Sequence, residues 1–419
     1  MLDATKIVEQ ESFNTRQDDI FLQRIPDDVY KKMTHTFSSK YHFRNGLENG
    51  GKMRIANYFV GISSALSDSF NQFIEEMEQG LSGESFPAFQ PPNGFAPQDD
   101  NLLHTEQAGG FSLGSFDMAI TDKGLRNIEF QAVATYPVSS ALLNRCLLEN
   151  VEADNAFIFA DSPDTTWDDF KQVYNSIIGG NQSKGIVLTD RKIQQQKTNF
   201  EFYATQQELD IPIEIVDMER FFERDGELYY NDPFLNGKSV KITRLYNRII
   251  LADALFKDNY PEGSQTCRFR FDRKYNSLKL VNHPVKQFQV SKRLSPYIRH
   301  PFNPISYELA EVASSFRQGI LKYDDYVWKH KWGGAGHRLF LSPSLDILES
   351  LINELDEYIA QKKVDYTIFT TDDGQEKIVE LRFMTAHHHA QKIVVPMARI
   401  GHVSRNSAGR RKYKIHLSD

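Results

Sequence analysis

Residues 326–340 read YVWKHKWGGAGHRLF and residues 116–131 read FDMAITDKGLRNIEFQ. The first stretch predicts an apolar strand carrying Lys329, a glycine loop through Gly333, Gly334 and Gly336, then another strand. The second predicts a strand from Asp117, a tight turn, and a strand ending in Glu129-x-Gln131. A lysine on a strand before a glycine loop suits nucleotide phosphates, because glycine lets the backbone approach an anion closely. Carboxylates at the ends of paired strands suit Mg2+, which takes a few hard oxygen ligands and shares phosphate oxygens. Gln131 offers a neutral carbonyl oxygen two residues beyond Glu129, on the same side of a strand. The two stretches read as halves of one ATP site.

Around them lies an ordinary globular composition. The chain has 419 residues, 40% of them hydrophobic, which is long enough for two or three subdomains. The net charge of −7 is mild and mixed, so no nucleic-acid partner is indicated. The basic stretch Arg410, Arg411, Lys412 and Lys414 reads as a solvated tail. Only Cys146 and Cys267 occur, with no C-x-x-C spacing, which argues against a disulfide framework or a zinc site. Cys146 reads as helix core packing. The N-terminus lacks a signal-like apolar stretch, and no apolar run approaches the roughly 18–20 residues of a membrane span. The expectation is a cytoplasmic protein without a membrane partner.

The periodicity predicts the following organisation. Residues 57–77 place Phe59, Ile62, Leu66, Phe70, Phe73 and Ile74 at helical spacing. That apolar helix suits a core or a homodimer interface equally. Residues 81–100 are rich in glycine and proline and read as a loop. The middle third alternates: strand 156–160, helix 166–178 capped by Asp164 or Thr165, strand 185–189, helix 192–209, strand 211–216 and strand 240–246. Such alternation predicts a parallel sheet in a doubly wound α/β unit, with ligands at the carboxyl ends of its strands. From 278 onward the pattern predicts strand 278–284, helical 285–298 with Lys292, the Lys329 strand and its loop, and helix 344–360. Strand 365–369 follows, then paired strands 377–384 and 392–400. His387, His388 and His389 read as loop histidines rather than metal ligands, since consecutive strand residues face opposite sides.

These residues suffice for phosphoryl chemistry. Lys292 and Lys329 would hold phosphate oxygens, while Asp117, Glu129 and Gln131 would bind Mg2+. Guanidinium groups fork onto carboxylates and other oxyanions, so Arg248, Arg382, Arg399 and Arg405 are candidates to hold an acid substrate. For Arg382, a cross-strand ion pair is the plainer role.

The order of these motifs resembles eukaryotic-type glutathione synthetase and glutathionylspermidine synthase-like members of the ATP-grasp superfamily. The segment IEFQAVATYPVSSALLNR resembles that family's E-I-N-T-x-x-x-S signature, LYNRI its substrate-arginine strand, and VSKRL the start of the helix bearing its first nucleotide lysine. YVWKHKWGGAG resembles its V-L-K-P-x-x-E-G-G-G loop, and GHVSRNSAG its closing G-H-L-L-R-T-K. The resemblance implies substrate arginines at Arg248 and Arg405 and nucleotide lysines at Lys292 and Lys329. It also implies a circularly permuted ATP-grasp fold, with the metal-binding residues early and the nucleotide lysines late. Several positions depart from the pattern: Gln131 replaces the family Asn, Gly333 an acidic residue, and Ala134 and Tyr136 small hydroxyl residues. Ser115 replaces an arginine, and the lysine after the last arginine is missing. The resemblance therefore implies the fold rather than glutathione as product.

Taken together, the expected fold is mixed α/β, a permuted ATP-grasp with an inserted doubly wound pre-grasp domain. Its expected parts are 1–150 (helical segment and metal-binding half), 151–277 (pre-grasp domain) and 278–419 (nucleotide-binding part with lid loop). The expected activity is an ATP- and Mg2+-dependent carboxylate–amine ligase joining a small acid to an amine through an acyl phosphate. A catalytically degenerate nucleotide- or peptide-binding module and a small-molecule kinase are the competing expectations.

Overall fold

Asp117 and Glu129 sit opposite each other on an antiparallel hairpin, strands Leu113–Thr121 and Gly124–Gln131. Gly124 closes its tight turn at φ +96°, a backbone conformation open to glycine and costly with a side chain. The computed structural model describes residues 20–40, 55–82, 86–92, 95, 111–133, 135–151, 156–196, 198–233, 236–252, 270–272, 274–333, 338–405 and 411–414. Gly334, Gly336, Ala134, Cys267 and half of the predicted loop 81–100 lie outside the described residues.

The hairpin belongs to a central antiparallel sheet. Leu113–Thr121 pairs with Glu376–His388, which pairs with Gln391–Arg405; Arg411–Lys414 and Phe369–Thr370 extend it. Cross-strand partners point to the same side, so Asp117 and Arg382 share one face, while Phe116 and Phe383 share the other. The aromatic face packs on helix Ser64–Ser82, where Phe70 stacks on Phe383 at 3.9 Å and Phe73 meets Phe116 edge-on at 5.8 Å. Burying each such ring contributes about 1.5–3 kcal/mol. Leu66, Phe70, Phe73 and Ile74 thus line one helix face, as their spacing predicts. Phe59 and Ile62 instead belong to strand Tyr58–Ile62, paired with Ile20–Arg24, because aromatic and β-branched residues here find a partner strand.

A second antiparallel sheet carries Lys329. Its order is Ser306–Glu308, Tyr358–Lys362, Tyr326–His330 and Leu339–Phe340. Helices Leu309–Arg317 and Leu345–Ser350 back it around the buried Trp328, Phe316 and Tyr358. The expected helix 344–360 is therefore cut short. Its last residues form the strand between Ser306–Glu308 and Tyr326–His330, where both ladders satisfy their backbone groups.

The third sheet is wholly parallel: Ile213–Ile215, Ile186–Thr189, Arg244–Asn247, Lys279–Val281. Helices Trp167–Ile178 and Phe200–Glu208 contribute to the core on one face. The core on the other face includes Phe221, Leu228 and Tyr230 from an antiparallel meander, Phe221–Arg224, Glu227–Asp232 and Lys238–Lys241. Among the described residues this face carries the meander together with the short helix Lys286–Gln289 and helical Leu251 and Ala252, where a doubly wound unit would place a longer helical layer. Strand 240–246 accordingly splits between meander and parallel sheet. Residues 156–160 form no strand; Ala160 N–H makes one bond to the Val394 carbonyl, and Phe159 and Ala160 fill core positions. The cap of helix Trp167–Ile178 is Thr166, in a reciprocal box with Asp169. Helix 192–209 is confined to Phe200–Glu208, preceded by a single 3-10 turn at Ile193–Gln195. His387 and His388 end a strand instead of lying in a loop, and His387 Nδ1 lies 2.8 Å from Glu78. Cys146 is buried, as expected. Among the described residues, no helix is long and apolar enough to cross a membrane.

Candidate nucleotide and acid site

The two quoted stretches converge. In the hairpin, Asp117 faces Glu129 but Met118 faces Asn127, so Ile128 is an extra residue in a β-bulge. Lys329 Nζ donates to the Ile128 carbonyl at 2.7 Å and to Gln361 Oε1 at 2.6 Å. Lys292, opening the 3-10 turn Lys292–Tyr297, donates to Glu129 Oε1 at 2.6 Å and to the Gly333 carbonyl. The hairpin, the Lys329 sheet and the start of the glycine loop therefore meet at two ammonium groups.

Lys329 is half-buried, with its ammonium turned inward. Withdrawal from water and the neighbouring Lys292 charge lower its pKa to about 8, against the pull of Glu129, Glu380 and Asp117. A cation disfavoured by burial and by a like charge gains from an anion between the two lysines. A phosphate fits that requirement.

Asp117 is engaged differently. Arg382 grips it bidentately, Nε to Oδ1 at 2.5 Å and Nη2 to Oδ2 at 2.6 Å, and Arg399 Nη2 adds a third contact at 2.9 Å. Burial would raise the Asp117 pKa, but the two guanidiniums outweigh it and hold the carboxyl below its ordinary value. Arg399 also pairs with Glu380, which accepts from Tyr366 Oη at 2.7 Å. Arg382 thus makes the cross-strand ion pair, and Gln131 donates Nε2 to Ser115 Oγ at 3.2 Å.

These donors do not fit Mg2+ as they stand. Asp117 is held by two arginines and Glu129 by Lys292, and the described residues contain no group of three or more acidic, histidine or cysteine side chains placed to hold a metal ion. Gly333, where an acidic ligand is expected from the resemblance, supplies only its backbone.

Arg248 follows strand Arg244–Asn247 at the carboxyl end of the parallel sheet. Asp190 follows the neighbouring strand Ile186–Thr189, so both flank the crevice between this sheet's first and third strands in chain order, where the sheet order reverses. Arg248 Nη2 donates to the Thr135 carbonyl at 2.6 Å, and its guanidinium lies beside Tyr246 and over the Phe202 ring. Burial pushes the Asp190 carboxyl up to about 6 despite nearby Arg248. Thr135 joins the two clusters, since its Oγ1 accepts from Arg382 Nη1 at 2.7 Å. Arg248, Arg382, Asp117, Glu129, Lys292 and Lys329 thus lie in one connected cluster. Arg405 ends strand Gln391–Arg405, but its side chain lies outside the described residues. Sequence reasoning missed Thr135, Gln361, Tyr366 and the bulge at Ile128. For Thr135, a small hydroxyl residue soon after Glu129-x-Gln131 was the available signal.

No protein-family model and no curated protein matches the chain. Solved structures similar to it include a glutathione synthetase-like effector from Globodera pallida in its apo form, covering 91% of this chain and 86% of that one, with 10% identity and a TM-score of 0.42. A candidate gamma-glutamylcysteine synthetase from Methylobacillus flagellatus KT covers 83% and 84%, with 10% identity and a TM-score of 0.38. The likeness is to glutathione synthetase-like chains. At these scores it carries no weight for the chemistry, which rests on the side chains themselves.

Proposed function

We propose that this chain is an ATP-dependent carboxylate–amine ligase of permuted ATP-grasp organisation, with parts near 1–150, 151–277 and 278–419. The observation that carries the reading is the meeting of Lys292 and Lys329 on one hairpin strand, Gly124–Gln131. In this reading the two ammoniums hold nucleotide phosphates, and Arg248 and Arg382 hold the acid. The reaction moves the terminal phosphoryl group onto a carboxylate oxygen as the bond to the ADP oxygen breaks. The amine nitrogen then attacks the acyl carbon, and phosphate leaves. The backbone from Gly333 onward would exclude water from the acyl phosphate.

The cavity bounded by Glu129, Lys292 and Gly333 has a volume of about 30 Å³, room for about one water. Nucleotide entry therefore requires this space to widen, exchanging the Lys292–Glu129 and Lys329–Ile128 contacts for phosphate contacts. No step is assigned to Mg2+ through Asp117.

A second reading, a binding module without turnover, is favoured by the pinned Asp117 and by Gly333. The test is ADP release with a panel of amino acids, small acids and amines. The ligase reading expects acid-dependent ADP from the wild type and none from Lys329→Ala. ATP binding without ADP under any pairing favours the module, and equal turnover in wild type and variant removes both assignments of Lys329.

A further inference from the structure

A cavity of about 1060 Å³ wraps the outer edge of strand Gln391–Arg405, at the upper end of the roughly 300–1,000 Å³ typical of ligand sites. Phe21, Phe59, Leu143, Phe157, Leu381 and Ile400 are among its apolar walls. The strand edge is fastened at one end, where Val394 bonds Ala160 and Asp161, and at the other, where His402 pairs with Lys414. Ala398 and Ile400 border the cavity between these points.

Several polar groups on this wall are spent, and Tyr58, Ser64, Ser67, Asp68 and Thr198 also line it. Asn144 Nδ2 donates to the carbonyls of Ile158 and Pro396, and Asp161 accepts from Val394 N–H and Thr165 Oγ1. Ser63 Oγ accepts from Leu66 N–H. Arg399 is different: it lines the cavity, its Nη2 contacts Asp117 and Glu380, and its buried Nε has no hydrogen-bond partner. Tyr136 stands on the same wall, stacked on Phe200 at 5.8 Å. Arg399 is the one cationic side chain among the described residues lining this largely apolar chamber, which suits a ligand with an apolar body and a single anionic end.

We propose that this chamber binds a carboxylic acid with a long apolar chain, its carboxylate meeting Arg399 and its chain lying along Leu143 and Phe59. Arg399 bonds Asp117 and Glu380, two of the carboxylates whose charge acts on Lys329, so a carboxylate there lies beside the lysine pair. That this acid is the one activated rests on the ligase reading, with Arg399 holding its carboxylate in place of Arg248 and Arg382; its binding does not.

The probe is decanoate, titrated calorimetrically into the full chain, with decan-1-ol as the uncharged control. The proposal expects saturable decanoate binding at least about tenfold tighter than the alcohol, a difference lost in Arg399→Gln. Leu143→Trp, which fills the chamber without touching the ion cluster, should weaken decanoate about tenfold or more and leave ATP binding unchanged. Absence of saturable decanoate binding, equal affinity for the alcohol, or an unaffected Leu143→Trp would overturn it. Decanoate binding without ADP release supports the chamber and removes the ligase reading for this acid. ADP release with another acid, alongside no decanoate binding, overturns the chamber alone.

Discussion

Lys329 Nζ lies 2.7 Å from the carbonyl of Ile128, the residue that the β-bulge leaves out of register. A bulge releases a backbone carbonyl from the ladder, and here a lysine from another sheet takes it up. The cost of turning that ammonium inward appears in its pKa of about 8, against 10.5 unperturbed. Between those values the unfolded chain binds the proton and the folded chain does not, so this group makes stability rise with pH across the window. Below about 8 both states are charged and the full penalty stands. Relative to Lys329→Met, wild type should gain on the order of 1–3 kcal/mol from pH 8 to 10 in urea unfolding. Parallel pH curves for the two proteins would contradict this.

The same proton should govern nucleotide affinity. Phosphate binds the charged ammonium better, so the Kd for ATP should rise as pH climbs through about 8. Calorimetry from pH 6.5 to 9 reads this directly, and a flat profile would count against Lys329 as a phosphate ligand.

Asp117 should behave as an ion-pair partner. Replacing it by Asn leaves Arg382 and Arg399 with less charge to meet, a change that costs about 3–5 kcal/mol when a buried pair loses one member. Its folded pKa lies below 3.8, so its contribution holds above that pH and is lost as pH falls through the lower, folded value. Asp117→Asn should therefore lose stability at pH 7 and show a shallower acid limb. A change below about 1 kcal/mol at pH 7 would show that the arginines do not depend on it.

Magnesium alone should find no purchase at this carboxylate. Titration of Mg2+ into the nucleotide-free protein should give no saturable heat at millimolar concentration that Asp117→Asn abolishes. Such a heat would show that Asp117 exchanges its arginines for the cation.

Local signals in the chain were readable and distant ones were not. A lysine on an apolar strand before a glycine loop, and carboxylates on a hairpin, announce themselves within fifteen or sixteen residues of sequence. The Arg399–Asp117 contact spans 282 positions and has no local trace. Tyr358–Lys362 was hidden because Leu345, Leu348, Leu351, Ile352 and Leu355 continue a helical spacing toward it, and so its Gln361 went unseen as a Lys329 partner. The meander on the parallel sheet escaped notice because its strands are only four to six residues long. Asp117 looked like a metal ligand because a lone carboxylate on a strand does not declare its neighbours. Only the register of the central sheet, which sets Arg382 opposite it, does so.

The convergence of Lys292 and Lys329 on a nucleotide is tested most directly with an acyl-phosphate derivative of ATP, which acylates lysines that lie against the phosphates. Mass spectrometry of the digested full chain should find the label on Lys292 and Lys329, and excess ATP should suppress it at both. Labelling confined to other lysines, or labelling of these two that ATP does not suppress, would contradict the account.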